Sequence, residues 1–570
     1  MTPLRGLGGK ALAWAPVITV GAFMLPIVAG LAGTMLPALG YMPALGGHAL
    51  SLAPWRELLA YPGFATSLRL TLFIGIVSTV LSAALALGFC AVAQGSGWAR
   101  RAGRCLTPVL AMPHSALAIG IAFMLAPSGW VARLLSPWLT GWNTPPDITT
   151  LRDATGWSVV LGLLLKEVPY LILMTMGALN QVPATQHVRI ARSLGYSRVQ
   201  GWVKLVLPQI YPQIRLPICA VLAFSLSVVD VPLILGPGNP PPLAVLAVRW
   251  FSDPDTRLYF PAAAAACLQL LVVLAMIGLL FAMEKIARRA GARWIERGRR
   301  RGAATALAGG AALLGGALFA LVALTLVALG LWSFAARWRF PSAWPSVWTL
   351  ANWQRQLPSF AGPAWNTLLV GLAATLIALA LVLACLENEA RHPARQRASL
   401  IWLLYLPLLV PQVAFLFGAQ VLLVRFNLDA TRAAVIWAHL VFVLPYLFLS
   451  LADPWRAFDS RLLRSARSLG APPLKAFVAI KLPILLAPLL IACAVAFAVS
   501  VGQYLPTLFA GNGRVATLTT EAVTLTAGAD RRVIGVWALV QAGFPWLAYL
   551  AAVITPWWVF RHRRGMKTWS

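Results

Sequence analysis

The feature that most restricts the fold is a series of long apolar stretches. A helix needs about 20 apolar residues to cross the hydrocarbon core of a bilayer. Twelve runs reach or approach that length, near 13–36, 66–94, 105–127, 157–182, 214–237, 260–284, 303–333, 363–386, 399–424, 433–452, 484–510 and 536–560. The run after Gly156 carries charges, and the run ending near Ala452 is short. With 60% hydrophobic and 11% charged residues over 570 positions, an ordinary soluble chain is excluded. The expected class is an all-α polytopic membrane protein of about twelve transmembrane helices.

Charge orients those spans. There are 46 Lys and Arg against 16 Asp and Glu, a formal net charge of +30. No soluble domain presents this charge, so no nucleic-acid partner is expected. If both termini are cytosolic, 31 of the 46 cations fall on the cytosolic side, counting Arg215 with the loop it borders. That is the positive-inside bias for an even number of spans. The run Lys285, Arg288, Arg289, Arg293, Arg297, Arg299, Arg300 and Arg301 then anchors the middle of the chain. Arg5 and Lys10 precede the first run as in a secretory signal, but the run is long for one, and losing it would break the parity. An uncleaved first span is expected.

Metal and enzyme chemistry find little support. Cys90, Cys105, Cys219, Cys267, Cys385 and Cys493 stand singly, without a CxxC pattern, so neither a disulfide framework nor a zinc site is expected. No Gly-rich phosphate loop ends in Lys-Ser/Thr, which places any ATP hydrolysis on another chain. The outer carboxylates Asp147, Asp153, Asp253 and Asp255 sit in short or Pro-rich loops, a poor setting for a membrane-embedded transferase. No cofactor and no enzymatic activity are expected in this chain.

Two stretches nearly repeat each other. Arg189-Ile-Ala-Arg-Ser-Leu-Gly195 is followed after nine residues by Leu205-Val-Leu-Pro208, and Arg464-Ser-Ala-Arg-Ser-Leu-Gly470 after nine by Ile480-Lys-Leu-Pro483. Each reads as a short helix, a Gly bend and a second helix. Thr185 is placed to cap the first copy and Asp459 or Ser460 the second, with Gly195 and Gly470 as left-handed stops. Val188, Ile190, Ala191 and Leu194 form an apolar side, matched by Leu462, Leu463, Ala466 and Leu469, which are expected to face inward. Ser197 caps the next helix, where Val199, Trp202, Val203 and Val206 recur at helical spacing, and Pro472 and Pro473 suit the corresponding first turn. Two such knuckles in matching positions point to a docking element rather than to a chance amphipathic loop.

The rest of the chain is duplicated too. Thr71-Leu-Phe-Ile-Gly75 echoes Thr367-Leu-Leu-Val-Gly371; Pro108 to Gly120 echoes Pro407 to Gly418; Pro169-Tyr-Leu echoes Pro445-Tyr-Leu. The expected organisation is a first repeat over 1–290 with its loop at about 183–212, a basic cytosolic linker over 291–302, and a second repeat over 303–570 with its loop at about 458–487. Six spans per half make the repeats parallel, related by an axis along the membrane normal.

These knuckles resemble the "EAA" loop of ABC importer permeases, in which a Gly is followed after nine residues by Ile/Leu-x-Leu-Pro before the fifth span. Both halves match, so nearly the whole chain resembles a fused two-half permease of the thiamine, iron(III), polyamine and sulfate branch. Gly502-Gln-Tyr-Leu-Pro-Thr-Leu-Phe-Ala-Gly511 is similar to that branch as well. The resemblance implies a type I importer fold in a bacterial inner membrane, multi-pass, with both termini cytoplasmic. It implies two copies of a cytosolic ABC ATPase carrying ATP and Mg, a periplasmic or extracellular solute-binding protein, and a small-molecule solute. It assigns ATPase coupling to Arg189, Ala191, Arg192, Gly195, Leu205, Leu207 and Pro208, and to Arg464, Ala466, Arg467, Gly470, Ile480, Leu482 and Pro483. One departure is that the family's Glu is Arg at 189 and 464, and its first Ala is Ile190 and Ser465. An acidic or neutral partner groove is the expected consequence.

Ionisable residues inside spans are costly and usually face a cavity or a partner. Lys166, Glu167 and Asp230 are the candidates for the transport path, with Gln503 and Tyr504 as second-half counterparts near the position aligned with Asp230. The alternative is that Lys166 pairs with Glu167 or Asp230 and only joins helices. His114 and His439 are expected as packed histidines. Gly236 to Pro242 and Gly511 to Gly513 suit either a rim for a binding protein or ordinary turns. A secondary transporter of the major facilitator type, also built from six plus six spans, is the rival class. Gly95 to Arg104 is similar to that family's Gly/Arg-rich loop but lacks its Asp.

Overall fold

A computed structural model describes residues 7–94, 106, 108–298, 300, 304–391 and 405–561, with side chains from residue 12 onward. Twelve long or apolar helices follow the twelve runs. They are α1 (Leu7–Ala38), α2 (Phe64–Ala93), α3 (His114–Leu125), α4 (Trp157–Leu179), α5 (Leu207–Ser227) and α6 (Tyr259–Glu296). The second half supplies α7 (Ala304–Phe334), α8 (Ala351–Arg391), α9 (Gln412–Arg425), α10 (Arg432–Arg456), α11 (Leu486–Val501) and α12 (Arg531–Val559). Among the described residues ten helices are long and apolar enough to cross a membrane, and a pair bent by 73° at Leu485 makes an eleventh. The remaining one, α9, is short because Pro411 breaks the chain before it, as Pro113 does before α3. Cys105, the loop Gly95 to Arg104, Arg299 and Arg301 lie outside the described residues. Cys90, Cys219, Cys267, Cys385 and Cys493 are free thiols.

The packing units are not the sequence halves. One core joins α2 to α5 with residues of α7 and α12, such as Val322, Leu329, Trp537 and Ala538. The other joins α8 to α11 with Phe23 and Ile27 of α1 and the buried run Ala262 to Ala266 of α6. Each half therefore sends its first and last helices to the other. Small residues permit the crossings. Thr34 Oγ1 donates to the carbonyl of Gly30 and accepts the amide of Gly418, both at 3.0 Å. A Cβ on Gly418 would overlap the Gly30 carbonyl, so α1 and α9 touch backbone to backbone. At the matching crossing a Cβ on Gly120 of α3 would sit 2.6 Å from Thr325 Cβ of α7.

After α5 and α11 each half makes the same excursion. Short helices Asp230–Leu235 and Leu243–Phe251 precede α6, and Leu505–Gly511 and Leu518–Leu525 precede α12. The amides of Leu243 and Leu518 donate to Thr71 and Thr367, each at 2.9 Å, which explains why that threonine recurs in the repeats. After α3, Arg133 is buried among Trp332, Trp338 and Phe340 and donates to the carbonyls of Ser128, Ser342 and Trp338. A small antiparallel pair, Ala335–Arg337 with Val347–Trp348, shapes the loop that receives it.

Candidate functional site

The two knuckles have one backbone. The first helix runs Ala184–Ser193 and the second Ser460–Ser468. Each ends on a glycine in the left-handed region, φ +83° at Gly195 and +85° at Gly470. The amides of Gly195 and Tyr196 donate to the carbonyls of Arg192 and Ala191, and those of Gly470 and Ala471 to Arg467 and Ala466. This paired closure satisfies the last carbonyls and fixes the exit direction. A π-helical turn follows in both copies, Trp202–Val206 and Phe477–Lys481, and holds Leu205 and Ile480. Leu207-Pro208 and Leu482-Pro483 then open the next helices, where a proline lacks only a surplus amide.

Two expectations need correction. Thr185 does not cap the first helix; Pro183 stands at that position with no side-chain cap, whereas Asp459 caps the second by accepting the Arg461 amide at 2.9 Å. The apolar residues are not all turned inward either. Val188, Ala191 and Ala466 are buried, but Ile190, Leu194 and Leu462 are exposed and Leu469 is 88% exposed. One short helix has room against the bundle for only one narrow stripe. Arg189, Arg192, Arg464 and Arg467 are exposed beside these side chains. Each knuckle thus offers an apolar tip ringed by guanidinium groups.

The bracing beneath differs. Lys204 lies over the rings of Tyr196 (4.8 Å) and Trp294 (4.5 Å), and Arg300 lies near Gly195. Ser197, which caps its helix through the Gln200 amide, also meets Thr305 at 3.1 Å. At the second knuckle Lys481 is paired with Glu387 at 2.8 Å and lies 4.0 Å over Trp455, while Arg456 grips Glu389.

Midway through the bundle, Lys166 Nζ donates to the Met112 carbonyl at 2.7 Å and lies 3.3 Å from His114 Nδ1. Glu167 approaches the other His114 nitrogen at 3.5 Å. The anticipated ion pairs of Lys166 with Glu167 or Asp230 do not form. The carbonyl freed at the Pro113 break is a nearer acceptor. Asp230 is not inside the fifth span but starts the short helix beyond it, buried, within electrostatic reach of Lys166 and Tyr504. Gln503 and Tyr504 lie in the matching break before Leu505, half-buried, with the Gln503 carbonyl accepting Thr507 Oγ1. His439 is a packed histidine bonded to Ser500 (2.7 Å) and Thr507 (2.8 Å).

The model of the binding-protein-dependent transport system inner membrane component matches residues 84–290. The inner membrane ABC transporter permease protein YnjC of Escherichia coli K12 is 34% identical over 522 residues, 91% of this chain and 93% of that protein. The chain belongs to the ABC transporter permeases. The molybdenum transport system permease protein ModB of Mycobacterium tuberculosis is 30% identical over 35% of the permease and 78% of its own length. A spermidine/putrescine permease protein PotC homolog of Mycoplasma genitalium is 24% identical over 32% and 63%. Membership does not favour the facilitator-type alternative and accounts for a multi-pass chain built in two repeats. Sequence reasoning passed over the Lys481–Glu387 pair and misjudged the direction of Leu469. An acidic Glu387-Asn-Glu389 at the end of an apolar run was the available signal for the first; nothing local marks the second.

Proposed function

We propose that this permease is the transmembrane subunit of an ATP-driven importer and couples to two cytosolic ABC ATPase subunits through its knuckles. The reading rests on the duplicated Gly-closed helices with apolar tips and arginine rims. In it ATP and Mg reside on the ATPases, a periplasmic or extracellular binding protein delivers the solute, and both termini face the cytoplasm of a bacterial inner membrane. Closure of the ATPases moves the two packing units between outward and inward access. Arginine at 189 and 464 calls for an acidic or neutral groove, because like charges held together in a buried contact cost several kcal/mol. Along the path, Asp230 and Glu167 outnumber Lys166, which favours a cationic or metal-bearing solute.

Copurification with the ATPase tests the docking arm. Arg189→Glu with Arg464→Glu should lose most of the retained ATPase, and normal assembly and transport by this variant would contradict the docking surface. In proteoliposomes, uptake should require ATP, the ATPase and the binding protein; uptake driven by a proton gradient alone would sink the whole reading. Asp230→Asn should slow uptake or change solute selectivity, and no change would remove Asp230 from the path.

A further inference from the structure

Helix α6 outruns the bilayer. Its 38 residues extend about 57 Å at about 1.5 Å each, against a hydrocarbon core of about 30 Å. Leu271, Leu274, Leu279, Met283 and Ile286 are each more than half exposed and make a broad aliphatic stripe over the outward half of the helix. On that same face the next turns carry Lys285 and Arg289, with Arg288 beside them and Arg293 one turn further, all exposed. The cations begin in the last turn of the stripe, about 39 Å from the start of the helix at about 1.5 Å per residue, which is beyond the reach of a hydrocarbon core of about 30 Å.

The inner face of the same turns is held in place. Glu284 accepts the Tyr211 hydroxyl at 2.7 Å and lies 3.9 Å from Arg215, and the Trp294 carbonyl accepts Lys204 Nζ at 3.4 Å. These cations therefore stand on a fixed helix rather than on a loose tail. We propose that the far turns of α6 are a binding surface for anionic phospholipid headgroups, with Lys285, Arg288 and Arg289 contacting the phosphates. Three features select this occupant: continuity with a lipid-facing stripe, position at headgroup level, and a patch of uniform positive charge. A bound headgroup would steady the helix that braces the first knuckle.

The test uses the full chain in vesicles of equal phosphatidylglycerol and phosphatidylcholine, extracted gently, with the retained lipid quantified by mass spectrometry. Phosphatidylglycerol should be enriched over phosphatidylcholine, and less so at high salt. K285Q/R288Q/R289Q should lower that enrichment, by about five-fold per cation removed. K285R/R288K/R289K should keep it, and so should R461Q/R464Q/R467Q on the second knuckle. Single K285Q and R289Q variants carry the test if the triple does not fold. Equal retention of both lipids by the wild type would overturn the proposal, as would an unchanged neutral variant or an equal loss from the second-knuckle control.

Discussion

At the first knuckle Lys204 rests on the rings of Tyr196 and Trp294; at the second, Lys481 is paired with Glu387. Counted from the matched Thr71 and Thr367, Glu387 and Glu389 correspond to Ala91 and Ala93. Lacking those acids, the first half holds its lysine with aromatic faces and a carbonyl. The descending helices differ as well. Arg198–Ser227 is continuous through Pro212 and Pro217, whereas the second copy bends by 73° before α11. One backbone shape thus stands over two different supports, which means the backbone motif and not its foundation is the repeated unit.

The most severe test of this contrast is Glu387→Gln. It leaves Lys481 buried without its counter-charge, and a loss of about 3 kcal/mol is expected. Lys204→Met removes cation–π contacts and a long hydrogen bond to a carbonyl without leaving an acid unpaired, and a loss of about 1 kcal/mol is expected. Thermal stability of the purified chain, followed by loss of monodisperse protein, ranks the two; equal effects would mean the supports are equivalent.

The helix crossings sharpen the comparison next. Gly418→Ala should cost about 2 kcal/mol or more because the new methyl meets backbone. Gly120→Ala meets Thr325 Cβ at 2.6 Å against 2.0 Å to the Gly30 carbonyl oxygen for Gly418→Ala, and should cost less by the same assay because the overlap is smaller.

The smallest effect is a response to acid confined to the first half. Asp153 caps α4, accepting the amides of Trp157 (2.8 Å) and Ser158 (2.9 Å) and the hydroxyls of Thr155 and Ser158. Burial pushes its carboxyl up, but these bonds outweigh it and hold the group at about 2. A depressed value stabilises the fold above the ordinary carboxylate range, and that contribution is lost as pH falls from about 4 to about 2. The matching α10 is capped by neutral Thr431, which accepts the Ala434 amide at 3.1 Å. Asp153→Asn should lower the midpoint at pH 7 by a few degrees, with the gap closing near pH 2. Thr431→Ala should cost about 1 kcal/mol at either pH.

Much of this permease was legible in its residues. Apolar length marks the spans, and Gly195 and Gly470 mark the knuckles because a left-handed stop is a local demand of the backbone. Pro113 and Pro411 mark the breaks in α3 and α9 for the same kind of reason. Asp230 was recognisable as costly, but its place outside the fifth span was not, since the apolar run continues unbroken across residues 228–229 and only Pro232, four residues beyond Val228, marks the break.

What the chain determined alone is therefore whatever depends on near neighbours: helices, caps, bends and the duplication. Tertiary structure decided that α1 and α6 pack with the second half and α7 and α12 with the first, which no repeat alignment reveals. It also decided that Leu469 faces outward and that Lys166 takes a carbonyl instead of a carboxylate. Partner choice among apolar helices depends on which surfaces fit when everything is assembled, and fit of that kind is a property of pairs, not of single segments.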